Sequence, residues 1–357
     1  MTARVPAWPD VFSTLLARED LDAATTTWAF DQVMSGSATP SQLAGFLIAL
    51  RAKGETVTEV RALADVLLAH AHRFTVPGRS LDIVGTGGDR LHTVNISTMS
   101  AIVIAATGLT VVKHGNRAAS SSSGSADVLE SLGVDLSLTP KQVRRVVESA
   151  GITFCFAQAF HPAMRHAAAT RRELGVGTVF NMLGPITNPA QPTYAAVGVA
   201  DARVAPLLAG VFADRGKDAL VFRGEDGLDE LTLAGRSRLW WVAAGQISEH
   251  TVEPGDVGLA GAPVAALRGG DPAFNADIVR RVLDGAPGPA RDAVLFNAGA
   301  ALALADFGER PEASPGSRSD VLEALRHGVA KAAAAIDSGA GAAKLQAWVD
   351  TTRAVSA

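Results

Sequence analysis

The sequence predicts an α/β protein in two parts: a small all-helical domain over residues 1–76 and a large α/β domain with a mostly parallel central sheet over 77–357. Three observations lead there. The first 75 residues show only helical spacing of apolar positions. From Leu81 onward, short apolar strands alternate with helices, the pattern of parallel strands covered on both faces. Pro77-Gly78 breaks the chain between the two regimes and marks a boundary or hinge.

Helices are expected near residues 9–18 and 22–35. Thr39-Pro40-Ser41-Gln42 is a capping box with proline at the first helical position, ahead of Leu43, Phe46, Leu47 and Leu50; Gly54 ends that helix. Thr56 to Glu59 is a second capping box, and Val60, Leu63, Ala64, Leu67 and Leu68 share one helical face. In the second part, Leu81–Val84 reads as a strand, Ser97–Thr107 as a helix and Leu109–Val112 as a strand. A short helix from Ala126 to Leu132 stops at Gly133. Thr139-Pro140-Lys141-Gln142 caps a helix ending at Gly151. Ile152–Phe156, Tyr194–Val199, Ala219–Phe222 and Leu239–Val242 complete the strands. One long helix from His161 to Leu174, then a Gly/Pro-rich stretch to Pro192, interrupts the alternation. This segment is expected to dock on the N-terminal helices and bridge the two parts.

The charge balance, 32 basic against 36 acidic residues, leaves a net charge of −4, which disfavours nucleic acid or a membrane surface as partner. Cys155 is the only cysteine, so no intrachain disulfide is possible. It sits in an apolar strand, reads as inert packing, and suits a reducing, cytoplasmic setting. The first twenty residues lack a signal pattern, and no apolar run approaches the ~18 residues of a membrane span.

Two loops rich in small polar residues carry the chemistry. Gly85-Thr86-Gly87-Gly88-Asp89 follows the first strand of the second part, and Asn95-Ile96-Ser97-Thr98 opens the next helix. Glycines let backbone N–H groups approach an anion, and a helix start adds free N–H groups and the positive end of its dipole. The plainer reading is a tight turn followed by a helix cap. Lys113-His114-Gly115-Asn116-Arg117 then leaves the second strand and runs into the Ser-rich Ser120–Ser125. Lys113 offers a point charge for phosphate, while His114 reads as a structural loop histidine. Both loops leave carboxyl ends of strands, where open parallel sheets place ligands. The pair implies a polyphosphate ligand held from two sides. Glu225, Asp226, Asp229 and Glu230 put four carboxylates within six residues. They are either a solvated acidic loop or a magnesium site, and a nearby phosphate site favours the metal. On the bridging helix, Arg165 and Arg172 share a face and Arg171 is turned about 100° away. Arginines there are either solubilising or, if they face a cleft, partners for a substrate carboxylate.

Taken together, GTGGD, T-x-NIST, KHGNR with its serines and GSAD, HPAMRHAAATRRELG, FN-LGP-TNP and GEDGLDE resemble the anthranilate phosphoribosyltransferase family in order and spacing from about Leu81 to Glu230. The resemblance implies the nucleoside phosphorylase/phosphoribosyltransferase-like fold, with a helical domain completed by the segment at about 161–190. It implies an enzyme of tryptophan biosynthesis that is magnesium-dependent, with two ions, and homodimeric through its helical domains. Carried over by position, Gly85, Gly88, Asp89, Thr93, Asn95, Ile96, Ser97 and Thr98 would hold phosphoribosyl pyrophosphate. Lys113, His114, Gly115, Asn116, Arg117, Ala118, Ala119, Ser120, Ser121 and Ser125 would form the second loop over it. Ser97 with Glu230 would hold one metal ion, and Asp229 with Glu230 a second. Asn116 and Arg171 would serve the reaction by contacting anthranilate, Arg171 through its carboxylate, with Gly85 close by. Gly177 and Met164 depart from the family pattern, which often has arginine and sometimes tyrosine there; both flank the acceptor position. A pyrimidine nucleoside phosphorylase would need a different second loop, and a nucleic-acid-binding relative without catalysis would need a basic face.

Overall fold

The computed structural model describes residues 6–117, 123–308 and 317–356. Four helices come first: α1 (Trp8–Leu16), α2 (Ala23–Met34), α3 (Pro40–Lys53) and α4 (Val57–Ala69). There follow β1 (Ser80–Gly85), α5 (Ile96–Ala106), β2 (Thr110–Gly115), α6 (Ser125–Leu132), α7 (Pro140–Ala150) and β3 (Ile152–Phe156). The bridging segment holds α8 (Ala157–Phe160), α9 (Arg165–Leu174) and α10 (Phe180–Leu183). Then come β4 (Tyr194–Gly198), α11 (Val204–Asp214), β5 (Asp218–Gly224), β6 (Ser237–Ala243) and β7 (Gln246–Val252). The chain closes with α12 (Pro272–Leu283), α13 (Pro289–Phe307), α14 (Arg318–Asp337) and α15 (Ala340–Ser356). Both N-terminal capping boxes form: Thr39 with Gln42, and Thr56 with Glu59.

The seven strands make one sheet in the order β3-β2-β1-β4-β5-β6-β7. The first five in that order are parallel, and β6 and β7 are antiparallel. The strand expected at Leu239–Val242 therefore belongs to a hairpin. Its partner β7 was not expected, because an edge strand with Glu249 and His250 carries little apolar signal. The turn is two residues, Ala244 and Gly245, with φ of 50° and 74°. Positive φ at both positions matches the twist of flanking strands.

The helix expected from His161 to Leu174 is broken. Pro162 opens a 3-10 turn over 162–164, and α9 begins only at Arg165. His161, before the proline, has φ −118° and ψ 64°, outside the helical region that a following proline disfavours.

Strand alternation sorts the core into two layers. Tyr194, Ala196, Leu220, Phe222, Leu239 and Trp241 face the layer that holds α5 and α13. Their neighbours Ala195, Val197, Ala219, Val221, Trp240 and Val242 face the other, together with α11 and α1 to α4. Gly210 of α11 lets that helix approach α4 closely, since a side chain there would press on Val57. α9 packs on α2 and α3, and Phe180 of α10 meets Phe30 of α2 with ring centres 5.4 Å apart.

Beneath the bridging segment two buried histidines meet, His114 of β2 and His161, with ring centres 5.1 Å apart. His114 Nδ1 lies 2.9 Å from the Gly184 carbonyl. Burial lowers His114 to about 3 and His161 to about 4. The unfolded chain, near 6.5 at these groups, binds more protons below that pH. The stability they contribute is thus full above pH 6.5 and declines as the pH falls toward 4, with a slope of up to ~1.4 kcal/mol per pH unit for each. Buried Asp82, raised to about 6 by desolvation, titrates in this window with the opposite sign, so the informative comparison is between variant and parent. A His114→Asn/His161→Asn double variant should lose less Tm than the parent between pH 6.5 and 4.5; parallel thermal-melt curves would contradict this account.

Candidate active site

The carboxyl ends of β1, β2, β4 and β5 come together at one rim. β1 delivers Gly85 and the glycine loop, where Gly87 and Gly88 both take positive φ. The loop after β5 folds back across this rim. A side chain at Gly85 would overlap the Asp229 carboxylate, and one at Gly198 would overlap the Asp229 carbonyl. Gly85 and Gly198 are therefore required by close approach. The Gly87 N–H donates to Asp229 Oδ2 at 2.7 Å.

The four-carboxylate run divides. Glu225 is exposed, and Asp226 is tied inside its own loop by the Leu228 N–H at 3.1 Å and the Thr232 hydroxyl at 2.6 Å. Asp229 and Glu230 instead turn under the glycine loop, toward Asp89. Burial, then their mutual repulsion and that of Asp89, holds Glu230 well above the usual carboxylate range; burial and Asp89 raise Asp229 as well. The Ser97 N–H, at the start of α5, pulls Glu230 the other way. The Asn95 side chain does not cap the N–H groups of α5, and the Ser97 N–H of that helix start bonds Glu230 instead.

Lys113 corrects the sequence reading. Lys113, His114 and Gly115 pair with Phe154, Cys155 and Phe156, so they belong to β2 and not to a loop. Lys113 is 1% exposed, far from the free point charge expected. It donates to the Ile83 carbonyl at 2.6 Å and the Ser97 hydroxyl at 3.2 Å. Desolvation lowers its pKa, and Asp82, Glu230 and Asp229 act against that. Asp82 accepts from the His114 N–H at 3.0 Å and from Asn188 at 2.8 Å. One buried cation thus lies among three buried or half-buried acids.

Other expected positions fall as follows. Asp89 Oδ1 accepts from the Leu91 N–H, and Thr93 bridges antiparallel to Arg268. Ile96 and Thr98 bury their side chains and offer the cleft only backbone. Asn116 is exposed, its side chain accepting the Arg117 N–H at 2.9 Å. Arg117 turns away from the loop: its guanidinium grips Asp127 and Glu130 of α6 and lies over Phe156. Ser125 begins α6 beside Gly115. Ala118, Ala119, Ser120 and Ser121 lie outside the described residues. Arg171, in the last turn of α9, stacks over Phe180 at 4.8 Å and makes no ion pair among the described residues. Arg165 and Arg172 are exposed.

Two asparagines escaped the sequence reading. Asn297 of α13 grips both backbone groups of Leu231, next to Glu230, at 2.9 and 3.1 Å. Asn275 of α12 contacts Asn95 at 2.9 Å. The available signal was a fully buried polar residue on an apolar helical face, as with Asn275 among Val279 and Val282.

Residues 78–342 match the profile described as glycosyl transferase family, a/b domain, and residues 9–71 match glycosyl transferase family, helical bundle domain. The anthranilate phosphoribosyltransferase of Streptomyces griseus subsp. griseus is 58% identical, over 98% of this chain and 96% of that protein. The chain belongs to the anthranilate phosphoribosyltransferase family. The Thermobifida fusca member is 56% identical over 97% of each chain. The crystal structure of the family member from Thermus thermophilus superposes with a TM-score of 0.87 at 41% identity, covering 96% of this chain and 99% of that one. The Saccharomyces cerevisiae member in complex with PRPP and Mg gives 0.86 at 27% identity, over 97% and 98%. A small helical domain beside a large α/β domain with a mostly parallel sheet is the architecture of this family.

Among the described residues, no three His, Cys, Asp or Glu side chains converge to enclose a metal ion. Asp229 and Glu230 fit a hard divalent cation that takes its remaining oxygens from substrate phosphates and water. Removing Lys113 should leave the buried acids without their counter-charge. Lys113→Met is expected to cost ~1–3 kcal/mol in urea unfolding, since the buried Ile83 carbonyl loses its donor as the acids lose their counter-charge, with part of the loss recovered by adding Asp82→Asn. Parental stability of the single variant would refute this balance.

Proposed function

We propose that this chain transfers the phosphoribosyl group of 5-phosphoribosyl 1-pyrophosphate to the amine of anthranilate, releasing pyrophosphate, as its family does in tryptophan biosynthesis. The observation that carries this reading is the pair Asp229–Glu230, held with raised pKa under the glycine loop and against the start of α5. Carboxylates kept there need a cation, and a polyphosphate brings one.

The donor lies across Gly85, Gly88, Asp89, Thr93 and Asn95 to Thr98, with the Lys113–Ser121 segment and Ser125 closing over it. The backbone N–H groups of the loop and of α5 orient its phosphates. Magnesium, when bound, supplies charge to the leaving pyrophosphate. Ser97 with Glu230 would hold one ion and Asp229 with Glu230 a second. Bond breaking at the anomeric carbon leads, with loose bonding to the incoming amine, through an oxocarbenium-like state. Anthranilate's amine is neutral at pH 7 and keeps its lone pair, so no strong base is needed. That agrees with His114 and His161 beneath the bridging segment, which burial holds neutral. Arg171 takes the acceptor carboxylate, its guanidinium lying over the Phe180 ring and, among the described residues, without an ion-pair partner to compete. Asn116 contacts the acceptor from the other loop. Closure between residues 1–76 and 77–357 about Pro77-Gly78 excludes water that would hydrolyse the donor.

The working form is a homodimer in the cytoplasm. In support, α1 and α3 expose Leu16 at 78% and Ile48 at 41%, apolar side chains suited to a partner.

The deciding assay follows anthranilate fluorescence with enzyme, donor and Mg²⁺, omitting each in turn; turnover requires all. Asp229→Asn with Glu230→Gln should lower kcat by at least ~10²-fold and weaken metal-dependent donor binding. Unchanged Mg²⁺ dependence in that variant would remove the pair from the site. Arg171→Ala should raise the anthranilate KM by roughly 10-fold or more while the donor KM moves less than about 2-fold. Equal shifts for both substrates would contradict its role.

A further inference from the structure

We infer that Asn275 is a positioning residue that sets the two ligand-facing loops relative to each other through Asn95. The inference rests on the function proposed above. Asn275 is 2% exposed, in the first turn of α12, a helix packed on α5 and α6. Its side chain accepts from the Gly270 N–H at 2.8 Å and donates to Asn95 Oδ1 at 2.9 Å. Asn95 then donates to the Ser123 carbonyl at 3.1 Å. Asn95 stands at the start of α5, after the glycine loop; Ser123 stands before α6, at the end of the second loop.

The direction of this relay is forced. Its first member, the Gly270 N–H, only donates, and its last, the Ser123 carbonyl, only accepts. Two amides between them can satisfy both ends in one orientation each. The relay also has a rigid base. The Val94 N–H bonds the Leu267 carbonyl at 2.9 Å, and the Gly269 N–H bonds the His92 carbonyl at 2.8 Å. A side chain at Gly269 would press on the Thr93 carbonyl and Asn275 Oδ1. The segment after β7 thus clamps the backbone of residues 92–95, and Asn275 passes that placement on to the second loop.

Polarity, rather than volume, is the property to test. Asn275→Asp keeps the size and still accepts from Gly270, but it cannot donate to Asn95 Oδ1. Asn95 must then turn its amide nitrogen toward position 275, and its oxygen faces the Ser123 carbonyl. Asn95→Asp breaks the same relay from its other side, at a half-buried position. For each variant, donor Kd with Mg²⁺ by calorimetry, both KM values and amide exchange at 123–127 are measured. Donor Kd should rise roughly 10-fold, the anthranilate KM, which depends on this loop through Asn116 alone, should rise clearly less, and exchange at Ser123–Asp127 should quicken. Parental exchange at 123–127 in both variants, or equal loss of affinity for both substrates, would overturn the inference. Exchange is read without substrate, and donor binding by the parent chain is the control for the function itself, so the two ideas fail separately.

Discussion

A buried charge balance under the carboxyl ends of the strands organises this molecule. Lys113 lies in β2, buried, with its ammonium bonded to the Ile83 carbonyl and the Ser97 hydroxyl, and the charges of Asp82, Glu230 and Asp229 act on it from beyond ion-pair distance. Such charges are tolerated only when hydrogen bonds and opposite charge together offset their desolvation. The partners come from β1, from β2, and from the loop after β5. That loop has to cross the rim, and Gly85 and Gly198 are glycine because it passes directly over them. One cation offsets only part of the acidic charge, so Asp229 and Glu230 keep raised affinity for a proton or a metal ion. Instability of this kind is useful in a site that must receive a polyanion together with its cations.

The surrounding fold fixes these groups without using them up. Asn297 grips Leu231 beside Glu230, Asn188 holds Asp82, and Asn275 holds Asn95. All three are buried amides, bonded to the Leu231 backbone, the Asp82 carboxylate and the Asn95 side chain respectively. An amide accepts at its oxygen and donates at its nitrogen, whereas an ionised carboxylate only accepts. The sheet supplies the rest: its two faces bind separate apolar layers, so helices α1 to α4 attach through α11 while α5 and α13 support the rim from the other side.

Much of this was legible in the chain. Capping boxes, glycine stops and apolar spacing located the first four helices and the parallel strands, because those signals act within a few residues. Both loops, and Asp229 with Glu230, were visible for the same reason: glycine, serine and clustered carboxylates are local. β7 was not, since an edge strand buries one side only and its polar sequence resembles a loop. The break at Pro162 was readable in principle, but the apolar pattern on either side outweighed it.

By itself the sequence determined the alternation of elements, the place of the glycine loops and the family to which the chain belongs. Only the tertiary structure decided which groups are paired. Lys113 went under the sheet instead of into the loop, because β2 continues its ladder with β3 through Gly115. Arg117 went to α6, and Asp226 was kept within its own turn, while its neighbours three and four residues on entered the cleft. Asn275 reached Asn95 across 180 residues of chain. Backbone propensity is a property of a few consecutive residues; desolvation and hydrogen-bond polarity depend on whatever the fold brings alongside.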